Sequence, residues 1–184
     1  MCHFYLASSI GYDGAKALCE SLRPPPHGNS NIHVLDLYNN GKIGERGAKE
    51  VAEMLRTNVS ITSLDLSGCN IGQGGGAAIG LALSESNRTL TRLDVSGNKV
   101  EGAIGEVGAR SLAAALATNE ILRYLDVEGN AIGDNGGLAF LDAVQNNSTL
   151  LGLGWRDKNR ISAEVATSLE QALEEANHTC FARY

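Results

Sequence analysis

The sequence predicts an α/β protein built as six tandem strand–turn–helix–turn units, and three observations predict it. An apolar pattern, L-x-x-L-x-L-x-x-N, recurs from Ile32, Ile61, Leu90, Leu122 and Leu150, at intervals of 29, 29, 32 and 28 residues. A second signature, Ile-Gly-x-x-Gly, stands at Ile10, Ile43, Ile71, Ile104 and Ile132, and opens stretches with apolar residues at helical spacing. The 184 residues give room for one domain of ordinary size and too little for two.

Taken in order, Met1-x-x-Phe4-x-Leu6-x-x-Ser9 reads as the first strand, and Ile10-Gly11-x-x-Gly14-Ala15 opens a helix to about Leu22. Pro24-Pro25-Pro26 then forbids further helix and lengthens the connection to Ile32. The second unit carries Leu35, Leu37 and Asn40 on its strand signal and Ala48, Val51, Ala52 and Leu55 on its helix. In the third, Leu64 and Leu66 precede Cys69, which stands where the others have Asn. The fourth runs from Leu93 and Val95 to Asn98, with Ala109, Leu112, Ala113 and Leu116 on its helix. Being 32 residues long, it carries about three extra around Glu101-Gly102-Ala103. They read as a tolerated surface insertion or as a contact loop on one rim. Leu125, Val127 and Asn130 mark the fifth unit, and Leu153, Trp155 and Asn159 a degenerate sixth. Its helix holds Val165, Ala166, Leu169, Ala172 and Leu173, with Ser162 as the predicted cap. Asn58, Asn87, Asn119, Asn147 and Asn177 end helices, a residue type that tolerates the left-handed conformation of a helix stop.

The strand motif and the Ile-Gly-x-x-Gly signature together resemble the leucine-rich repeat family, in its long-repeat, ribonuclease-inhibitor-like subclass. The same repeat type occurs in the ligand-sensing regions of NOD-like receptors and in Ran GTPase-activating protein, and more loosely in the carboxy-terminal domain of tropomodulin. The resemblance covers nearly the whole chain, as a single domain over 1–184 with units starting near 1, 32, 61, 90, 122 and 150. It implies a horseshoe arc, with a parallel sheet on the concave side and helices on the convex side. The Asn that closes each strand motif resembles the family's Asn ladder, in which side-chain amides bond the backbone groups left open at the strand end. One unit cannot cover its own apolar face, so neighbours supply its stability, and each end of the array needs a polar cap. Because motif register begins at Met1, the amino-terminal end is expected to be covered by a partner or by further repeats.

On such a sheet the residues between the motif leucines face outward, because side chains alternate along a strand. Aligning the units stacks Tyr5, Asp36, Asp65, Asp94, Asp126 and Gly154 in one column. The next column reads Ala7, Tyr38, Ser67, Ser96, Glu128 and Arg156, and the preceding one His3, Val34, Ser63, Arg92, Tyr124 and Gly152. Two readings of the aspartates stay open. Asp is common at this site in the family, with water screening the repulsion. Alternatively, the face is a groove selecting a basic or hydroxyl-rich protein surface, with Tyr38, Tyr124, Arg92 and Arg156 as edge anchors. The second reading expects Asp65→Lys and Asp94→Lys to weaken binding with little loss of folding.

Composition excludes several functions. Fifteen Lys and Arg against 21 Asp and Glu give a net charge of −6, the wrong sign for binding nucleic acid or anionic membrane. Met1 to Asp13 lacks the basic start and apolar stretch of a secretory signal, so a cytoplasmic or other reducing compartment is expected. Cys2, Cys19, Cys69 and Cys180 lie far apart and read as free thiols, while His3, His27, His33 and His178 lack metal-ligand spacing. Gly72-Gln-Gly74-Gly75-Gly76 looks phosphate-like but has no P-loop Lys-Ser/Thr. The triplets at Asn58, Asn87, Asn147 and Asn177 satisfy N-x-S/T, yet helix capping accounts for them. No metal, cofactor or catalytic constellation is predicted. The sequence therefore points to a non-catalytic interaction scaffold or structural subunit with a protein partner. The alternatives are a regulator resembling Ran GTPase-activating protein and the sensing fragment of a NOD-like receptor.

Overall fold

Leu35, Leu64, Leu93, Leu125 and Leu153 stand side by side on successive strands, every one buried, and this column turns a sequence period into an architecture. The computed structural model describes residues 2–5, 9–23, 31–98, 100–176 and 179–180. The readings placed on Met1, Leu6, Ala7, Pro24-Pro25-Pro26, His27, Asn177 and His178 lie outside them.

Among the described residues the chain alternates β1 (Cys2–Tyr5), α1 (Tyr12–Ser21), β2 (Ile32–Asp36), α2 (Gly44–Thr57), β3 (Ser63–Asp65), α3 (Gly72–Glu85) and β4 (Arg92–Asp94). It continues through α4 (Gly105–Leu116), β5 (Tyr124–Asp126), α5 (Asp134–Asn146), β6 (Gly152–Gly154), α6 (Ala163–Glu175) and β7 (Thr179–Cys180). All strands are parallel, in chain order from β1 to β7, so the molecule is an α/β leucine-rich repeat solenoid with its sheet on the concave side. The last strand was not foreseen. Two residues are too short to show a period, and β7 is recognisable only by its pairing with Gly152 and Leu153.

Strand leucines and helix residues such as Val51, Leu55, Ile79, Leu112, Phe140 and Leu169 fill one continuous apolar layer. Small residues set the helix spacing. A Cβ on Gly75 would stand 2.6 Å from the Cβ of Ala48, so the second Gly of the Ile-Gly-x-x-Gly signature marks where one helix touches the last. The extra residues of the long unit form a 3-10 turn, Val100–Gly102, lying against Asn70 of the preceding unit.

Two asparagine ladders close the polar ends. In the first, Asn98 Oδ1 accepts the N–H of Asn70 (2.7 Å) while its Nδ2 donates to the Val95 carbonyl (2.7 Å). Asn40, Asn130 and Asn159 bridge neighbouring turns in the same way. At Cys69 the thiol donates to the Leu37 carbonyl (3.0 Å), which explains why the slot accepts Cys. Burial pushes this thiol, and that of Cys19, up to about 12.

The second ladder corrects the reading of the helix stops. Asn58 (φ −73°, ψ 130°) and Asn147 (φ −101°, ψ 125°) are extended, not left-handed. They work by hydrogen bonding: Asn58, Asn87, Asn119 and Asn147 donate Nδ2 to Leu22, Leu55, Leu83 and Leu116 carbonyls of the preceding unit. Each Oδ1 accepts two N–H groups of its own following turn. A buried amide spanning two units satisfies backbone groups that would otherwise cost about 1–3 kcal/mol each.

Helix starts are also capped from outside. Ser162 makes no side-chain cap; its own N–H donates to Asp134 Oδ1 (2.6 Å). Likewise Glu45 Oε2 accepts the N–H of Gly74 (3.0 Å), and Glu106 Oε1 that of Gly133 (2.9 Å). The bond to Gly74 and the bond to Lys49 hold the Glu45 carboxyl below its ordinary pKa, the Lys49 bond first. The glycine run at the start of α3 thus already has its anion, a neighbour's carboxylate.

Candidate functional site

The outward columns follow from strand register. Asp36, Asp65, Asp94 and Asp126 are successive register partners ending at Gly154, and Val34, Ser63, Arg92, Tyr124 and Gly152 form the column beside them. Arg92 and Tyr124 meet across β4 and β5, with the guanidinium carbon 5.6 Å from the ring centroid, a cation–π distance. Tyr38 is 55% exposed at the end of β2.

The aspartates are not the exposed, water-screened ladder that alternation alone suggests. Each folds its carboxylate back onto the turn that follows its own strand. Oδ1 of Asp36, Asp65, Asp94 and Asp126 accepts the N–H of Tyr38 (2.9 Å), Ser67 (2.8 Å), Ser96 (2.9 Å) and Glu128 (3.0 Å), respectively. The Ser67 and Ser96 hydroxyls add bonds of 2.5 and 2.7 Å to the same oxygens. Asp94 is 4% exposed and Asp126 3%, so two of the four aspartates are buried and structural. Asp36 and Asp65 keep partial exposure. Turn geometry decides this, because it brings a donor two residues ahead within reach of a short side chain.

Arg156 does not continue the column of Tyr38, Ser67, Ser96 and Glu128. The bonds Asn39 N–H to Ser67 O, Gly68 N–H to Ser96 O and Gly97 N–H to Glu128 O repeat once more as Gly129 N–H to Asp157 O. Asp157 therefore holds the place assigned to Arg156. The sixth unit has one residue more between its last apolar position and its ladder Asn: Asn159 Nδ2 reaches back four residues to the Trp155 carbonyl, where Asn98 and Asn130 reach back three. Arg156 is turned toward α6, where it pairs with Glu170 at 3.1 Å. That spacing was visible in the sequence and is the signal that alignment by the leucines missed.

The same turns build a feature that sequence reasoning did not find. Asn39, Gly68, Gly97, Gly129 and Lys158 occupy equivalent turn positions, all with φ between 56° and 70°. Three of the five are glycine, so the turns stack closely and leave little side-chain cover. Beside them runs a groove of about 290 Å³, lined by Tyr38, Ser67, Ser96, Glu128, Asp157 and Lys158 among others. Carboxylates outnumber cations along it, and Tyr38 stands at one end with Lys158 at the other.

Among the described residues no helix is long and apolar enough to cross a membrane, and no group of His, Cys, Asp and Glu is placed to hold a metal ion.

A family model described as Leucine Rich repeat matches residues 57–80, 86–113 and 118–141. Over 138 residues the chain is 30% identical to ribonuclease inhibitor of Sus scrofa, a match covering 75% of this chain and 28% of that protein. Over 129 residues it is 33% identical to Rho GTPase-activating protein gacW of Dictyostelium discoideum, covering 67% of this chain and 11% of that one. The chain thus spans a minor part of either relative. Among solved structures, actin-binding site 2 of leiomodin-1 matches with a TM-score of 0.69 at 20% identity, covering 92% of this chain and 91% of that one. That likeness concerns the fold alone.

Proposed function

The chain belongs to the leucine-rich repeat family, in its ribonuclease-inhibitor-like type, and on that premise we propose that it is a non-catalytic module that grips a protein partner with the concave sheet face and the adjoining turns. Family members generally act in protein–protein interaction, and ribonuclease inhibitor, which this chain resembles, is named for inhibiting another protein. The observation that carries the reading is the pairing of Arg92 with Tyr124 in the middle of the face. Arg and Tyr are the residue types that most often concentrate interface energy, and here the stacking holds both in place beforehand. Tyr38 supplies an exposed aromatic in addition to the half-buried Tyr124. Asp36, Asp65 and Asp157, which reach solvent, give the surroundings a negative character that favours a partner with a basic surface. Buried thiols at Cys19 and Cys69, unlinked in the fold, accord with a cytoplasmic or other reducing compartment.

A photo-crosslinking residue at Ser63, beside Arg92, tests the reading against one at Leu81 on the convex side. Crosslinks from position 63 that disappear with Arg92→Ala or Tyr124→Ala support it. Crosslinks confined to position 81, or indifferent to both substitutions, refute it.

A GTPase-activating role is the second reading, favoured by the likeness to Rho GTPase-activating protein gacW. Its candidate arginines are already engaged, Arg92 over Tyr124 and Arg156 with Glu170. Stimulated GTP hydrolysis by a small GTPase, abolished by Arg92→Ala or Arg156→Ala, is the result that would promote it.

A further inference from the structure

Asn58, Asn87 and Asn147 each open an N-x-S/T triplet, completed by Ser60, Thr89 and Thr149. In a chain entering the secretory pathway such a triplet is a glycan acceptor, normally found on a surface loop. Here the nitrogen that would carry the sugar is a structural donor. Nδ2 bonds the Leu22 carbonyl at 2.7 Å, the Leu55 carbonyl at 2.9 Å and the Leu116 carbonyl at 2.6 Å, always in the preceding unit. The residues are 5, 2 and 8% exposed, so a sugar ring on that nitrogen has no space without parting two repeats.

Oligosaccharide transfer acts on the nascent chain, before these amides are buried, so the finished fold offers no protection. The amide nitrogen attacks the anomeric carbon of a lipid-diphosphate-linked oligosaccharide. A C–N bond forms, the C–O bond to the diphosphate breaks, the amide gives up one proton and the lipid diphosphate leaves. We infer that N-glycosylation and folding exclude one another at Asn58, Asn87 and Asn147, so that this repeat array folds only where glycan transfer to the nascent chain does not occur. The inference is independent of what the concave face binds, because the amides sit at the helix ends.

The experiment directs the chain into the secretory pathway of cultured animal cells with an added leader. Every version carries Asn177→Gln and also Asn146→Gln, because Asn146-Asn147-Ser148 is a further triplet opened by an exposed Asn, so that only the three buried triplets report. The expected result is an endoglycosidase-sensitive gain in mass, loss of protease resistance and retention in the cell. Two rescues are expected to restore resistance and secretion: Ser60→Ala with Thr89→Val and Thr149→Val, which removes the triplets and keeps the amides, and an inhibitor of lipid-linked oligosaccharide synthesis. The inhibitor decides the matter if the triple variant fails to fold when made without the leader. Secretion of folded protein without either rescue, glycosylated or not, overturns the inference, as does retention that the inhibitor leaves unchanged.

Discussion

Asp126 and Gly154 are register partners on adjacent strands, and the Asp126 carboxylate fills the space that a side chain on Gly154 would need. A Cβ at position 154 would stand 2.8 Å from both Cγ and Oδ1 of Asp126. That oxygen is held by the Glu128 N–H, so it cannot move aside without leaving a buried donor open. Gly154→Ala is expected to destabilise by about 1–3 kcal/mol, read as a lower urea midpoint at unchanged m.

Asp65 and Asp94 differ in burial although they are neighbours in one column. Asp94→Asn keeps an acceptor oxygen for the Ser96 N–H and hydroxyl, whereas Asp94→Ala removes it at about 1–3 kcal/mol. Asp94→Lys is worse still, since it buries a cation beside unpaired donors; Asp65→Lys costs less because that site reaches solvent. The expectation that both lysines would spare the fold is thereby corrected for Asp94. Chemical denaturation of the single variants checks the order; equal losses at the two positions would contradict it.

Gly80 on α3 faces the backbone of Ser111 on α4, and a Cβ there would lie 2.7 Å from the Ser111 carbonyl carbon and oxygen. Alanine favours helix by up to about 1 kcal/mol over glycine, but backbone does not yield as a side-chain tip does. Overpacking wins, and Gly80→Ala is expected to lower stability by roughly 1–2 kcal/mol net. An unchanged or raised melting temperature would show that the two helices have slack.

Cys19 and Cys69 carry thiols pushed up to about 12 from an ordinary 9.0, first of all by burial. Between those values the unfolded chain has lost the proton and the folded chain keeps it. Stability contributed by each thiol is therefore complete below pH 9 and falls above it, at about 1.4 kcal/mol per pH unit. Cys69→Asn, which retains a ladder donor, is expected to remove one thiol's share of that alkaline slope. Denaturation midpoints from pH 8 to 11 for parent and variant give the comparison; parallel pH profiles would refute it.

By itself, the sequence determined the repeat, the order of its elements up to the sixth helix, the buried leucine column and which residues of β2 to β6 share a column across the sheet. Those follow from period alone, because a residue that must face the core at fixed intervals fixes the phase of everything between. Tertiary structure decided what the polar residues do. Asp94 and Asp126 are buried while they hold the N–H groups of the turns that follow their strands, and Asn58 and Asn147 act through carbonyls of another unit rather than through their own φ. The extra residue after Trp155 ejects Arg156 from the face and puts Asp157 there, while Glu45 caps a helix that begins 27 residues later. A polar side chain goes where a donor or acceptor is within reach, and in a stacked array that partner usually belongs to the neighbouring repeat.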